Sequence, residues 1–175
     1  MASIISDFFG KKGQVYRVSI APDKMERALA LLSIILLTAA VIAVAKGMDQ
    51  WHILPWQIWA HLATLATALV ITPIMLLRKR GDKSHRIFGW IWALSMLATA
   101  LISFDIRLTN DGNFSLIHIL SVITVIGVPV LIISARRRDI KRHRSQARGF
   151  IIGALLVAGF FTFPFDRLLG HWLFG

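Results

Sequence analysis

Runs of roughly 20 apolar residues, each closed by charged or turn-forming residues, constrain this chain more than anything else in it. The first run is Ala28 to Ala45, ALALLSIILLTAAVIAVA. Four more follow, at about Pro55–Leu77, Ile87–Ile106, Phe114–Ala135 and Ala147–Phe165. A helix rises about 1.5 Å per residue, so each run matches a hydrocarbon core about 30 Å thick. With 56% apolar and 17% charged residues, the composition suits lipid better than a water-soluble core. The expected fold is therefore all-α, with five transmembrane helices. The formal net charge of +11 raises the question of nucleic acid. The charges are not spread over a soluble face, however; they gather at the ends of the apolar runs, so no nucleic-acid partner is expected. The chain has no cysteine, which excludes disulfides and thiolate metal sites. No cleavable signal peptide is evident, because a long basic segment precedes the first apolar run.

Of the 20 basic residues, 17 fall in three groups: before the first run, between the second and third, and between the fourth and fifth. With five spans all three groups lie on one side, and the positive-inside rule puts that side in the cytoplasm. The expected placement is the bacterial cytoplasmic membrane, with the N-terminus inside and the C-terminus in the periplasm.

One stretch also occurs twice. His61 to Arg86 reads HLATLATALVITPIMLLRKRGDKSHR, and His118 to Arg144 reads HILSVITVIGVPVLIISARRRDIKRHR. Each opens on histidine, carries a proline at a matched depth (Pro73 and Pro129), meets a basic cluster and closes on His-Arg. Apolar letters match cheaply; histidine, proline and His-Arg at matched offsets do not. The expected organisation is an N-terminal segment over residues 1–27, a first helix over 28–46, one hairpin repeat over 51–107 and a second over 112–175. Two tandem hairpins give a four-helix core with a two-fold axis along the membrane normal.

That symmetry pairs His61 with His118 in the outer half and His85 with His143 at the cytoplasmic ends. Two facing imidazoles suit a six-coordinate haem b, and Arg86 and Arg144 are placed to meet its propionates. Copper or zinc is the other option, with Asp105 as a third ligand to His61 and His118, or as a carboxylate that orients one of them. Such a protein would carry electrons, as a transmembrane oxidoreductase working with a quinone or a small periplasmic reductant. Two other readings stay open. One is a non-catalytic scaffold or accessory subunit, whose histidines form a hydrogen-bond network and whose basic face meets anionic lipid. The other is a small transporter using His61, Asp105 and His118. A homo-oligomer is compatible with any of these.

Ile4, Ile5, Phe8 and Phe9 with Lys11 and Lys12 suit a short amphipathic segment on the membrane surface. Trp51, Trp56, Trp59, Trp90 and Trp92 read as interfacial anchors. Pro55 suits a helix start, Ser115 an N-cap, and residues 109–113 a turn-rich loop. Gly89, Gly127, Gly149, Gly153 and Gly159 read as sites of close helix approach. His52 and His171 lie outside the repeat, in loops.

The stretches RGDKSHRIFGW, FSLIHILS, RRRDIKRHR and FTFPFDRLLGHWLFG resemble a bacterial family of small polytopic membrane proteins of unknown function. The resemblance covers roughly Trp51 to Gly175 and is most specific at His85-Arg86-Ile87-Phe88-Gly89 and Phe114 to Ser121. It implies a cytoplasmic-membrane protein and no particular activity. In arrangement alone the chain is also similar to b561-type cytochromes, which hold two haems between four histidines on consecutive helices. Carried over, His61 pairs with His118 and His85 with His143. The chain departs from that family in having five expected spans rather than six.

Overall fold

The computed structural model describes residues 21–78, 80–106, 116–164 and 167–175. The expected amphipathic N-terminal segment, the 109–113 loop and the Ser115 cap lie outside the described residues. Helix α1 spans Lys24–Lys46, α2 Trp56–Leu77, α3 Lys83–Ser103 and α4 Leu116–Arg136. A fifth helix begins as α5, Ile140–Phe150, and continues through a π-helical stretch Ile151–Val157 into a last α-turn, Ala158–Phe160. A short helix, Leu168–Phe174, ends the chain. No strand occurs among the described residues.

Three helices start earlier than their apolar runs. Helix α1 begins at Lys24 because Asp23 caps it, accepting from the Glu26 N–H at 2.9 Å. Glu26 returns a bond to the Asp23 N–H at 3.1 Å, completing a capping box. Asp82 caps α3 by accepting from the His85 N–H at 2.6 Å, and Asp139 caps α5 by accepting from the Arg142 N–H at 3.0 Å. Each aspartate satisfies helix-end donors in a polar layer that hydropathy alone does not mark as helical. Pro55 sits at the N-cap of α2, while Pro73 and Pro129 lie inside α2 and α4. Helix α4 stops short of Arg138, which takes a left-handed backbone (φ 59°) where glycine is usual.

The helices form a closed ring. Helix α1 packs on α2, α2 on α3, α3 on α4 and α4 on α5, and the π-helical stretch returns to α1. The core takes Leu29 and Ala30 from α1, Ala68 and Leu69 from α2, and Trp92 and Met96 from α3. Val128 and Leu131 of α4 and Ile151 and Leu155 of the fifth helix complete it. This corrects the expected four-helix core: α1 is a full member. Its uniformly apolar sequence hides which face packs.

Outside this core the surface is apolar. Leu31, Ile35 and Val41 of α1 and Ile119, Ile123 and Ile126 of α4 are all exposed. Four helices, α1 to α4, are long and apolar enough to cross a membrane. Apolar side chains facing outward along them mark a multi-pass membrane protein.

Trp90 is exposed, as an interfacial anchor should be, but Trp92 is buried and donates its indole N–H to Thr72 Oγ1 at 3.0 Å. That corrects the anchor reading for Trp92, since a buried indole needs an acceptor and α2 supplies one. Trp51 donates to the Val44 carbonyl and meets Trp59 edge-on at 5.1 Å. The C-terminal helix folds back on α1. Trp172 lies against Gly47 and donates to Gln50 Oε1 at 2.8 Å, while Lys46 donates to the Leu173 carbonyl. His171 therefore stands exposed on a helix, not in a loop; His52 is exposed in the 3-10 turn Met48–Ile53.

The glycines divide. A Cβ at Gly127 would lie 2.3 Å from Phe150 Cζ, and one at Gly159 2.6 Å from Leu36 Cδ2. At Gly149 and Gly153 nothing comes within 4 Å, so these two do not serve close approach. Gly127→Ala should therefore destabilise by about 1–3 kcal/mol, because the Phe150 ring must move. Gly149→Ala should be neutral or stabilise by about 0.5–1 kcal/mol through helix propensity. Unfolding in detergent micelles checks both, and equal effects would contradict the packing described.

Candidate functional site: two histidine levels and a buried carboxylate

The basic end of the bundle is built around Glu26, whose side chain is 1% exposed. Its carboxylate meets three guanidinium groups from two other regions of the chain. Arg144 approaches as a fork, Nε to Oε1 at 2.7 Å and Nη2 to Oε2 at 2.8 Å. Arg148, one turn further along the same face of α5, reaches Oε1 at 2.9 Å. Arg80, from the loop between α2 and α3, reaches Oε2. Arg144 and Arg148 also meet Asp23, so both acids of the α1 capping box are enclosed by arginine. Sequence reasoning does not single out Glu26. The legible signal is Asp23-Lys24-Met25-Glu26, an acidic capping pattern directly before an apolar run.

Removing one partner of a buried ion cluster leaves uncompensated charge and costs about 3–5 kcal/mol. Glu26→Gln, which leaves Arg80 without an acid and Arg144 and Arg148 with Asp23 alone, should reach that range in thermal unfolding. Arg80→Gln should cost less, since two guanidinium groups remain. The reverse order would refute Glu26 as the centre.

His85 and His143 lie at this same end. His85 is in the first turn of α3; its Nδ1 is buried and makes no hydrogen bond. His143, Arg80 and Asp82 are within electrostatic reach of its ring. His143 Nδ1 lies 3.2 Å from the Leu131 carbonyl, which can only accept. Nδ1 of His143 therefore carries the proton, leaving Nε2 as the ring's lone-pair nitrogen when neutral. Arg86 is exposed on α3, whereas Arg144, expected to face a propionate, is held by Glu26 and Asp23.

The other two histidines meet the opposite end of α3 from its two flanking helices. His61 of α2 places Nδ1 3.2 Å from Ser103 Oγ. Ser103 gives its own proton to the Thr99 carbonyl at 2.9 Å, so His61 Nδ1 donates and Nε2 holds the lone pair. Thr99 Oγ1 reaches Thr64 Oγ1 at 2.7 Å, extending the polar chain back to α2. His118 of α4 is 6% exposed, and its ring lies 6.2 Å from the ring of Phe104, the residue after Ser103. Both imidazoles thus sit at one level. Along α3, that level is roughly 27 Å from His85 at the helical rise per residue.

Asp105, just beyond α3, is exposed and accepts from Gln57 Nε2 at 3.0 Å. Among the described residues no group of three or more His, Cys, Asp or Glu side chains is arranged to hold a metal ion. The chemistry offered is pairwise: an imidazole with Nδ1 committed as donor ligates iron, copper or zinc through Nε2.

The chain matches no protein-family model, no curated protein and no solved structure.

Asp23 lies outside the apolar span. The Glu26 N–H, aided by Arg148 against some desolvation, holds its carboxyl below the usual carboxylate range. A depressed folded pKa stabilises above the unfolded value and is lost as pH falls through the folded one. Thermal stability should therefore fall in the acid limb, below the ordinary carboxylate pKa. Asp23→Asn, which keeps a capping side chain, should flatten part of that fall; an unchanged acid limb would remove Asp23 from the cluster's energetics.

Proposed function

We propose that this chain is a five-span protein of the bacterial cytoplasmic membrane, built from two hairpin repeats, that carries electrons on b-type haem. The fifth span in this reading is the continuous helix Ile140–Phe160. Its basic end faces the cytoplasm, by the rule that arginine and lysine stay inside. The observation that carries the reading is the arrangement of the four histidines. They occupy α2, α4, α3 and α5 in two levels, and at each level one ring has its Nδ1 fixed by a hydrogen bond. His61 with His118, and His85 with His143, would hold one haem each. Bound haem supplies a one-electron iron couple at each leaflet, which a quinone or a small periplasmic reductant could use. The protein's own role is to present neutral imidazoles and to shield them from water.

Protein expressed with ample haem should show a Soret band and a b-type spectrum. His143→Ala should lower the haem-to-protein ratio by about half, and His61→Ala likewise at the other level. Absence of any Soret band overturns the proposal.

A second reading is a scaffold whose histidines only tie helices together. The chain His61–Ser103–Thr99–Thr64 between α2 and α3 favours it. It expects His61→Ala to lower the unfolding temperature with no change in cofactor content.

A further inference from the structure

We propose that Arg86, Trp90 and Arg136 form a headgroup site for an anionic phospholipid at the lipid-facing seam between α3 and α4. Trp90 is 46% exposed on α3. The Arg136 guanidinium, from the end of α4, lies over its ring at 5.7 Å from the centroid. That contact holds a long cationic side chain against the bundle instead of leaving it to sample solvent. Arg86 stands four residues before Trp90, on the same face of α3 and one turn nearer the basic end. Both arginines are exposed.

The acids of the basic end make their hydrogen bonds and ion pairs with other groups. Asp23 and Glu26 pair with Arg80, Arg144 and Arg148. Asp82 and Asp139 accept from the backbone at helix starts. Among the described residues no carboxylate forms an ion pair with Arg86 or Arg136. The seam therefore presents two exposed guanidinium groups without an ion pair among the described residues, one lying over an aromatic ring and the other one helical turn from it.

The surroundings select the occupant. The site opens sideways, and exposed Leu94 and Leu101 of α3 and Ile133 of α4 continue the surface as hydrocarbon-facing residues. A tryptophan at such a boundary sits at headgroup depth. A phosphodiester with acyl chains attached satisfies both halves of this surface, the arginines by charge and the leucines by burial. A zwitterionic lipid brings its own cation and leaves the arginines less well matched. The inference does not depend on haem.

The test is native mass spectrometry of the full chain, in mild detergent, with equimolar phosphatidylglycerol and phosphatidylcholine. The wild type should retain phosphatidylglycerol preferentially. Arg86→Gln/Arg136→Gln should weaken that retention roughly thirtyfold, about 2 kcal/mol at 1.4 kcal/mol per tenfold. Lys141→Gln/Arg142→Gln removes the same charge from exposed positions on α5 and should leave retention intact. Trp90→Leu keeps both charges and should weaken binding severalfold, which also serves if the double arginine variant fails to fold. Equal losses in the two double variants would mean diffuse attraction to the basic end and overturn the site. So would absence of preference in the wild type, full retention in Trp90→Leu, or displacement by inorganic phosphate alone.

Discussion

Glu26 is a carboxylate with almost no access to water, and the basic end of the bundle is arranged to keep it paired. In lipid, apolar faces gain little by meeting one another, since acyl chains receive them equally well. Helix association then depends on close packing and on polar groups that have no better partner. The Glu26 cluster provides the second kind of contact across α1, the α2–α3 loop and α5. A buried anion is tolerable only when paired: Arg80, Arg144 and Arg148 all reach Glu26, and the last two also meet Asp23. Similar logic on a smaller scale joins Thr72 to Trp92 and Ser134 to Gln146. Close packing supplies the rest, at Gly127 against Phe150 and Gly159 against Leu36.

Within that frame α3 is the common reference for three of the four histidines. Its first turn carries His85, and its last residues receive His61 from α2 and lie beside His118 from α4. The hydrogen bonds at His61 and His143 fix ring orientation and tautomer. Such fixing is what a ligand site requires, and it is also what a purely structural network produces. The two uses differ in whether Nε2 meets a metal, which is why absorption and cofactor content separate them and packing alone does not.

Much of the organisation is legible without coordinates. The apolar runs locate α1 to α4 within a few residues, and the distribution of arginine and lysine anticipates the common basic end joined through Glu26. His61 and His118 meet one end of α3, and His85 lies in its first turn at the other. Helix starts fall four residues before the apolar run at α1 and α3 and seven before it at α5. Hydropathy measures what enters hydrocarbon, whereas a capped helix continues into the polar layer, and an aspartate before a basic turn is a weak signal on its own. Trp92 escapes the sequence for a related reason: an indole two residues from an exposed one shares its chemistry, and only the rotation of α3 decides which of them faces Thr72.

By itself, then, the sequence determined an all-helical, lipid-facing chain with its cations at one end and its imidazoles at matched positions, because hydrophobic run length and charge placement act locally. The tertiary structure alone decided that α1 belongs to the core, that Glu26 unites Arg80, Arg144 and Arg148, and that Arg144 is committed there. It also decided that Arg136 lies over Trp90. These depend on which faces of uniformly apolar helices turn toward one another. In lipid that choice is made by a few polar and small side chains far apart in sequence, whose meeting no periodicity records.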